Sequence, residues 1–256
     1  MSRQIQGVKM AFIIKAVMFC CVLISCTTTP KGKYGIQPGQ LAFIPSRIAV
    51  LACRPWPKSS PFKLNPKTLI SNDEMNSLCQ AVDKFIIDGF RNQPYMRGLS
   101  PKVVDALLEK ANLQGHNEKI PSLWHQNEDS CIYCTDPMSY YTESISKRET
   151  WVLWLNEFSG KVYRADAILL PMITYAHHGV INDRGLEKAY YRAGIVLLLI
   201  DTANGQLIWA GGRDAVVQKR KLISELSEPI IKPSQDDVID RLLLNDIWQG
   251  FPGRQN

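Results

Sequence analysis

The sequence predicts a mixed α/β fold, in which helices pack on a small β-sheet of about four strands. Two hydrophobic patterns predict it: short unbroken apolar runs, which are typical of buried strands, and apolar residues that repeat at helical spacing. In chain order the predicted elements are one strand, three helices, three strands and a final helix. Because such elements bury their apolar faces by layering, we expect an α/β or α+β sandwich.

The first half of the domain is predicted to hold one strand and the three helices. The strand is the apolar run at 48–52, after which four prolines at 55–66 exclude regular structure. Ser71 and Glu74 form a capping box, so a helix is predicted over 72–91. Ser100 and Pro101 begin a second helix, and a third is predicted from Pro137 to about residue 158. The segment 114–136 is polar and turn-rich.

The second half is predicted to hold the remaining strands and the last helix. Apolar, β-prone runs cover 165–175, 190–200 and 207–217. Asn204 and Gly205 lie between the last two runs and supply the positive φ that a tight turn requires, so these strands should be antiparallel neighbours. The final helix is predicted over 234–248.

The N-terminal segment is interpreted as a lipoprotein signal peptide over residues 1–25. Basic residues precede an uncharged apolar run, and Leu23-Ile24-Ser25-Cys26 ends that run in the form of a bacterial lipobox. The run is too short for the roughly 20 residues of a membrane-spanning helix. Cys26 is therefore expected to carry the lipid. Residues 26–45 are expected to form a flexible tether, and 46–256 a single periplasmic domain.

Charge and cysteine content restrict the classes of function. Removing the signal lowers the formal net charge from +6 to +3, which argues against a nucleic-acid-binding protein. Cys53, Cys79, Cys131 and Cys134 would then be the thiols available in an oxidising compartment, and two disulfides are the simplest outcome. Four thiols allow three pairings. If Cys131 pairs with Cys134, Cys53 pairs with Cys79 and joins a strand to a helix.

The order of elements resembles that of periplasmic lipoproteins of the LpoB, CsgG and TolB-N-terminal type. The resemblance rests on the 48–51 strand after a tether, on Asp166-Ala167-Ile168-Leu169, and on Asp201-Thr202 followed by Gly205 and Trp209. It implies a shared architecture. Pore-forming members would need long amphipathic hairpin strands, which are not predicted here. The accessory lipoproteins of Dot/Icm-like type IV secretion cores are another group that the chain resembles.

The resemblance to Gram-negative lipoproteins also implies a location. Thr27, rather than Asp, follows Cys26, which is typical of the outer-membrane sorting class. We therefore expect a palmitate-bearing protein on the periplasmic side of the outer membrane.

Two groups of residues could form a chemical site, and each could instead have a purely structural role. Cys131 and Cys134 form a Cys-x-x-Cys pair, which suits either a thiol-disulfide oxidoreductase or a small structural disulfide. His177 and His178, together with that pair, could supply zinc ligands, but adjacent strand residues point to opposite faces, so a turn or sheet-edge position is expected instead. No phosphate loop, nucleophile elbow or metalloprotease motif occurs in the sequence, and no catalytic residue, cofactor or metal is predicted.

Four aromatic residues outside the clearest core stripes are candidates for partner binding, namely Trp56, Trp124, Tyr140 and Tyr141. The alternative is that they anchor loops to their own domain. The favoured function is a non-enzymatic subunit or assembly factor of an envelope complex, a secretion system or a cell-wall machine, within a large oligomeric assembly. The alternatives are the oxidoreductase and an activator of a peptidoglycan synthase.

Overall fold

The computed structural model describes residues 44–56, 70–91, 93–125, 137–162, 164–222 and 229–254. Within these ranges the chain forms a six-stranded mixed sheet with helices on both faces. The predicted mixed α/β class is confirmed. The strand number is larger than the predicted four because two strands of two and three residues are too short to show an apolar pattern.

One half of the sheet is parallel. β1 (Arg47–Val50) lies between β3 (Arg97–Leu99) and the beginning of β4 (Ala167–Asp183), and both neighbours run parallel to it. β2 (Arg54–Pro55) pairs with the same edge of β4 farther along that strand. Ile48, Ala49 and Val50 of β1 are buried, as expected for a short strand with helices on both faces.

The other half is an antiparallel meander of long strands. β5 (Leu186–Asp201) pairs with β4 on one side and with β6 (Leu207–Leu222) on the other, as predicted for the last two strands. The three strands contain 17, 16 and 16 residues. The expectation that long hairpin strands are absent is therefore wrong. The outer ends of the three strands were not predicted, because polar residues there interrupt the apolar runs.

The first two helices begin at the predicted caps. α1 (Asn72–Phe90) follows Ser71, whose hydroxyl accepts a hydrogen bond from the Glu74 backbone N–H at 3.2 Å, while the Glu74 carboxylate accepts one from the Ser71 N–H at 2.9 Å. This is the predicted capping box. α2 (Pro101–Lys110) begins after Ser100, whose hydroxyl accepts from the Val103 N–H.

The predicted third helix is divided. α4 (Pro137–Tyr140) continues as a π-helical turn over Tyr141–Ile145, and α5 (Glu149–Lys161) begins afresh. Arg148 separates them because its backbone is extended and its guanidinium donates to carbonyl oxygens of the preceding helix, α3 (Ile120–His125). The last predicted helix is also divided, into α6 (Gln235–Leu242) and a 3₁₀ turn at Asn245–Trp248.

The sheet separates two hydrophobic cores. On one face, α1, α6 and the C-terminal 3₁₀ turn pack against the sheet. On the other face, α2 to α5 pack against it, and this core contains most of the aromatic residues of the helices. In the described part of the chain, no helix has the length and apolar character that crossing a membrane requires. The outer ends of β4, β5 and β6 extend past the second core.

Candidate functional site

Three of the predicted site residues lie outside the described part of the chain. These are Cys26, the predicted lipidation site, and Cys131 and Cys134, the predicted thiol pair. Their chemical roles stay predictions.

Cys53 and Cys79 are joined by a disulfide, which is one of the pairings that the sequence left open. Cys53 follows β1, and Cys79 lies on the buried face of α1. The bond therefore connects the end of a central strand to the helix that covers it. By closing a loop with a sequence separation of 26, it contributes on the order of 3 kcal/mol to stability.

A group of charged residues lies beside this disulfide. The Asp83 carboxylate accepts a hydrogen bond from the Cys53 N–H at 2.9 Å, and the Arg54 guanidinium donates to the Asn117 carbonyl at 2.9 Å. Burial raises the pKa of Asp83 to about 6, although the Cys53 hydrogen bond and Arg54 oppose the rise. Burial likewise lowers the pKa of Arg54. These contacts fix the chain where it turns from β1 into β2.

The four candidate partner-binding aromatics are core residues. Trp56, Trp124, Tyr140 and Tyr141 are at most 5% exposed, so the expectation that they form an exposed surface is corrected. Trp56 contacts the rings of Trp124 and Tyr140, and Trp124 contacts Tyr141 and Trp151. Residues far apart in the chain meet here, which is why sequence proximity to loops suggested exposure.

Hydrogen bonds hold this aromatic cluster in place. The Tyr141 hydroxyl donates to the Gly205 carbonyl at 2.7 Å and accepts from the Trp151 indole N–H at 2.8 Å. Burial raises the pKa of Tyr141 far above its ordinary value, so the hydroxyl stays protonated and can make both bonds. The cluster therefore ties the π-helical turn to the β5–β6 turn and acts in packing.

The motif that carries the family resemblance is also structural. Thr202 donates to the Ala165 carbonyl at 2.6 Å, and Asp201 accepts from the Ala203 N–H at 2.8 Å. Gly205 has the predicted positive φ, +71°. These contacts form the β5–β6 turn and connect it to the chain just before β4.

His177 and His178 lie within β4 rather than at a turn. β1 and β2 pair with β4 only up to Ile173, so within the described residues the two histidines pair with β5 alone, and the expected sheet-edge position is confirmed. Their rings are on opposite faces of the sheet, as the alternation of strand residues predicts. His178 lies 3.7 Å from the Glu74 carboxylate, whereas His177 contacts the rings of Tyr175 and Tyr190. Among the residues that the structure describes, no group of three or more His, Cys, Asp or Glu side chains is placed to hold a metal ion.

The sequence pattern did not reveal a partly exposed cluster on the outer ends of β4, β5 and β6. Tyr175, His177, Tyr190, Arg192, Asp214 and Val216 share one face there, and we call this surface the outer face. The Arg192 Nε donates to the Tyr175 hydroxyl at 3.2 Å, and the guanidinium lies 5.1 Å from the Tyr175 ring centroid. One sequence signal indicates this cluster. Tyr175 and His177 are two positions apart, as are Tyr190 and Arg192, so each pair lies on one face of its strand.

The environment of the outer face shifts the pKa values of two of its residues. Burial raises the pKa of Tyr175, and its hydrogen bond to the Asp214 carboxylate raises it further. Burial lowers the pKa of His177, and the nearby charges of Arg192 and His178 lower it further. At neutral pH the Tyr175 hydroxyl is therefore protonated, and the His177 imidazole is neutral.

Comparison with solved structures gives distant likenesses. No family model matches the chain, and no curated protein matches it. Lipoprotein GNA1162 from Neisseria meningitidis is 12% identical, with a TM-score of 0.36 over 68% of this chain and 85% of that one. A PelC variant dodecamer from Paraburkholderia phytofirmans is 10% identical, with a TM-score of 0.35 over 87% and 99% of the two chains.

A third solved structure, the hypothetical protein CT253 from Chlamydia trachomatis, is 10% identical, with a TM-score of 0.31 over 68% of this chain and 73% of that one. With TM-scores this low, these likenesses carry no argument about function.

Proposed function

We propose that this protein is a non-enzymatic lipoprotein of the outer membrane, which acts on the periplasmic side as a subunit or assembly factor of an envelope complex. The observation that carries the proposal is the lipobox-like end of the apolar run, Leu23-Ile24-Ser25-Cys26. Cleavage before Cys26 would make this residue the N-terminus and the site of acylation. Several acyl chains on one residue anchor a protein far more firmly than a single chain does.

The contacts of the domain favour a role in protein binding. The resemblance-bearing motif around Asp201 and Thr202 makes turn contacts, and the predicted aromatic surface is core. The outer face, by contrast, exposes the side chains of Arg192 and Val216 and partly exposes those of Tyr175 and Tyr190. Tyrosine and arginine are enriched at protein interfaces, where they dominate binding energy.

Lipidation and sorting are tested first, in cells fed alkyne-labelled palmitate. We expect the label in the wild-type protein and in a Cys21→Ala control, and no label after Cys26→Ala. Density fractionation should place the wild type and a Thr28→Asp control in the outer membrane. A Thr27→Asp variant should move to the inner membrane. Label that persists in Cys26→Ala, or an unlabelled wild type, would overturn the proposal.

The second test addresses the complex. The full-length protein is crosslinked in intact cells, solubilised in detergent and purified, and the crosslinked peptides are sequenced. We expect reproducible crosslinks to components of one envelope machine, and their loss in the Cys26→Ala form. Recovery of the protein alone and monomeric from the wild-type cells would contradict an assembly role.

A further inference from the structure

The outer face is a continuous surface across three strands. Tyr175 of β4 lies beside Gly194 of β5, which lies beside Asp214 of β6. The next row of this face consists of His177, Arg192 and Val216. The opposite face of the same strands is covered, since Tyr191, Ala193, Ala215 and Val217 belong to the core under α1 and α6.

Two glycines allow the tyrosine side chains to lie along the sheet. A Cβ atom at Gly179 would come within 2.9 Å of the Tyr190 hydroxyl oxygen and 3.1 Å of its Cζ atom. A Cβ atom at Gly194 would come within 2.7 Å of Tyr175 Cε1. Both rings therefore lean over glycines instead of standing away from the sheet. They present broad flat surfaces to a partner.

Contacts within the outer face hold most of its side chains in place. Arg192 donates to Tyr175, whose hydroxyl in turn donates to Asp214, and the His177 ring meets the Tyr190 ring at 5.7 Å with an interplanar angle of 80°. Side chains already ordered lose little conformational entropy on binding, so more of the contact energy appears as affinity.

The charges of the outer face select the chemistry of the partner. Arg192 and, two rows farther out, Arg220 bring positive charge to this face, and among its described side chains Asp214 supplies a carboxylate. The exposed apolar side chain of Val216, 38% exposed, lies among them. A surface that combines tyrosine rings, an exposed valine and two arginines is complementary to a polypeptide that carries carboxylates beside apolar residues.

The size of the outer face indicates a segment rather than a globular surface. Strands lie about 4.8 Å apart, and every second residue advances by about 6.7 Å along a strand, so three strands and four rows span on the order of 400 Å². A standard interface between globular proteins takes roughly 800 Å² from each partner. The outer face is about half that size, which suits one extended or helical stretch of chain.

We propose that the outer face binds an acidic segment of a partner envelope protein, with Tyr175, Tyr190 and Arg192 as the main contacts. This inference rests on the proposed function, since it names the surface through which the assembly role is exercised. It assigns the partner a negatively charged stretch with at least one apolar side chain, which would lie over Val216 and between the two tyrosine rings.

The test places a photoreactive residue in the full-length protein in living cells. p-Benzoylphenylalanine replaces Val216 in one strain and, as a control, Val103 of α2, which is 45% exposed and lies on a helix over the second core. We expect an adduct from position 216 and none of the same mass from position 103. Sequencing of that adduct should show a polypeptide in which acidic residues outnumber basic ones within about ten residues of the crosslink.

Charge reversal makes this test specific. Arg192→Glu should lower the yield of the adduct from position 216 by about tenfold, as expected for an arginine at the centre of an interface. Arg97→Glu makes the same charge change at an exposed residue of β3, the strand at the opposite edge of the sheet, and should leave the yield unchanged. Thermal unfolding of both variants verifies that they are folded.

Failure of this inference is distinguishable from failure of the proposed function. Absence of an adduct at position 216, insensitivity to Arg192→Glu, or attachment to lipid, glycan or a basic segment would overturn the assignment of the outer face. If palmitate labelling and whole-protein crosslinks persist in the same strains, the assembly role stands and only its surface is wrong. If both are lost in the wild type, the proposed function fails as well.

Discussion

The hydroxyl of Tyr141 offers the sharpest test of the conclusion that the predicted aromatic surface is core. Its side chain is fully buried, and its hydroxyl bridges the Gly205 carbonyl and the Trp151 indole N–H. A Tyr141→Phe change keeps the ring and removes only the oxygen. The carbonyl and the indole N–H then lose their partner in a site that water does not reach.

The loss of stability in Tyr141→Phe comes from the Gly205 carbonyl and the Trp151 indole N–H, which lose their partner. A buried polar group left without a partner costs about 1–3 kcal/mol, so we expect the free energy of unfolding to fall by about 2–4 kcal/mol. For a domain of this size such a loss lowers the midpoint of thermal unfolding by roughly 5–12 °C. Tyr140→Phe should cost less, under about 1 kcal/mol, because the Tyr140 hydroxyl makes one long bond of 3.4 Å to the Trp124 carbonyl.

Urea denaturation followed by far-UV circular dichroism measures these differences. Tyr95→Phe is the matched control, since Tyr95 is 70% exposed and its change should stay within about 0.5 kcal/mol of wild type. The reasoning is refuted if Tyr141→Phe is as stable as the Tyr95→Phe control. If that variant also loses its crosslinks to the envelope machine, Tyr141 belongs to an interface and not to the core.

Three further predictions concern charge, covalent linkage and close packing. Burial raises the pKa of Asp83 to about 6. Between about pH 4 and 6 the Asp83 carboxyl is therefore protonated in the folded state and ionised in the unfolded chain. The free energy of unfolding should consequently fall as pH rises through that window. Asp83→Asn should remove this decline in urea midpoints measured from pH 4 to 7, and identical slopes in both proteins would contradict it. Replacing Cys53 and Cys79 with Ala should cost about 3 kcal/mol in urea titrations under oxidising conditions; an unchanged midpoint would show that the bond contributes nothing. Gly211→Ala should destabilise the domain by about 1–3 kcal/mol, since a Cβ there would come within 2.6 Å of the Ile247 carbonyl. In α5, a Cβ atom at Gly160 would have no neighbour within 4 Å, so Gly160→Ala should stabilise the domain by about 0.5–1 kcal/mol. A Gly211→Ala protein more stable than the Gly160→Ala protein would refute the packing argument.

The parts of the fold that local chemistry determines were predictable from the sequence. The capping box of Ser71 and Glu74 located the start of α1, and Asn204-Gly205 located the turn between β5 and β6. The unbroken apolar run at 48–52 predicted a strand covered on both faces. Each of these features depends on residues within a few positions of one another, so no knowledge of distant contacts was needed.

The features that depend on distant contacts were missed. β2 and β3 are held by pairing with β4 and β1, and their own residues show no strand pattern. Trp56 looked exposed because prolines flank it, yet it packs on Trp124, 68 positions later in the chain. The outer ends of the long strands carry few apolar residues, since one of their faces meets solvent. The same exposure produced the outer face, which no single stretch of sequence brings together.

Mass spectrometry of the mature N-terminus tests the central claim most directly. The protein purified from membranes is digested, and its N-terminal peptide is sequenced with its modifications intact. Our account predicts a chain that begins at Cys26 and carries acyl groups on its sulfur and its amino group. A mature chain that begins elsewhere, or an unmodified Cys26, would contradict the account.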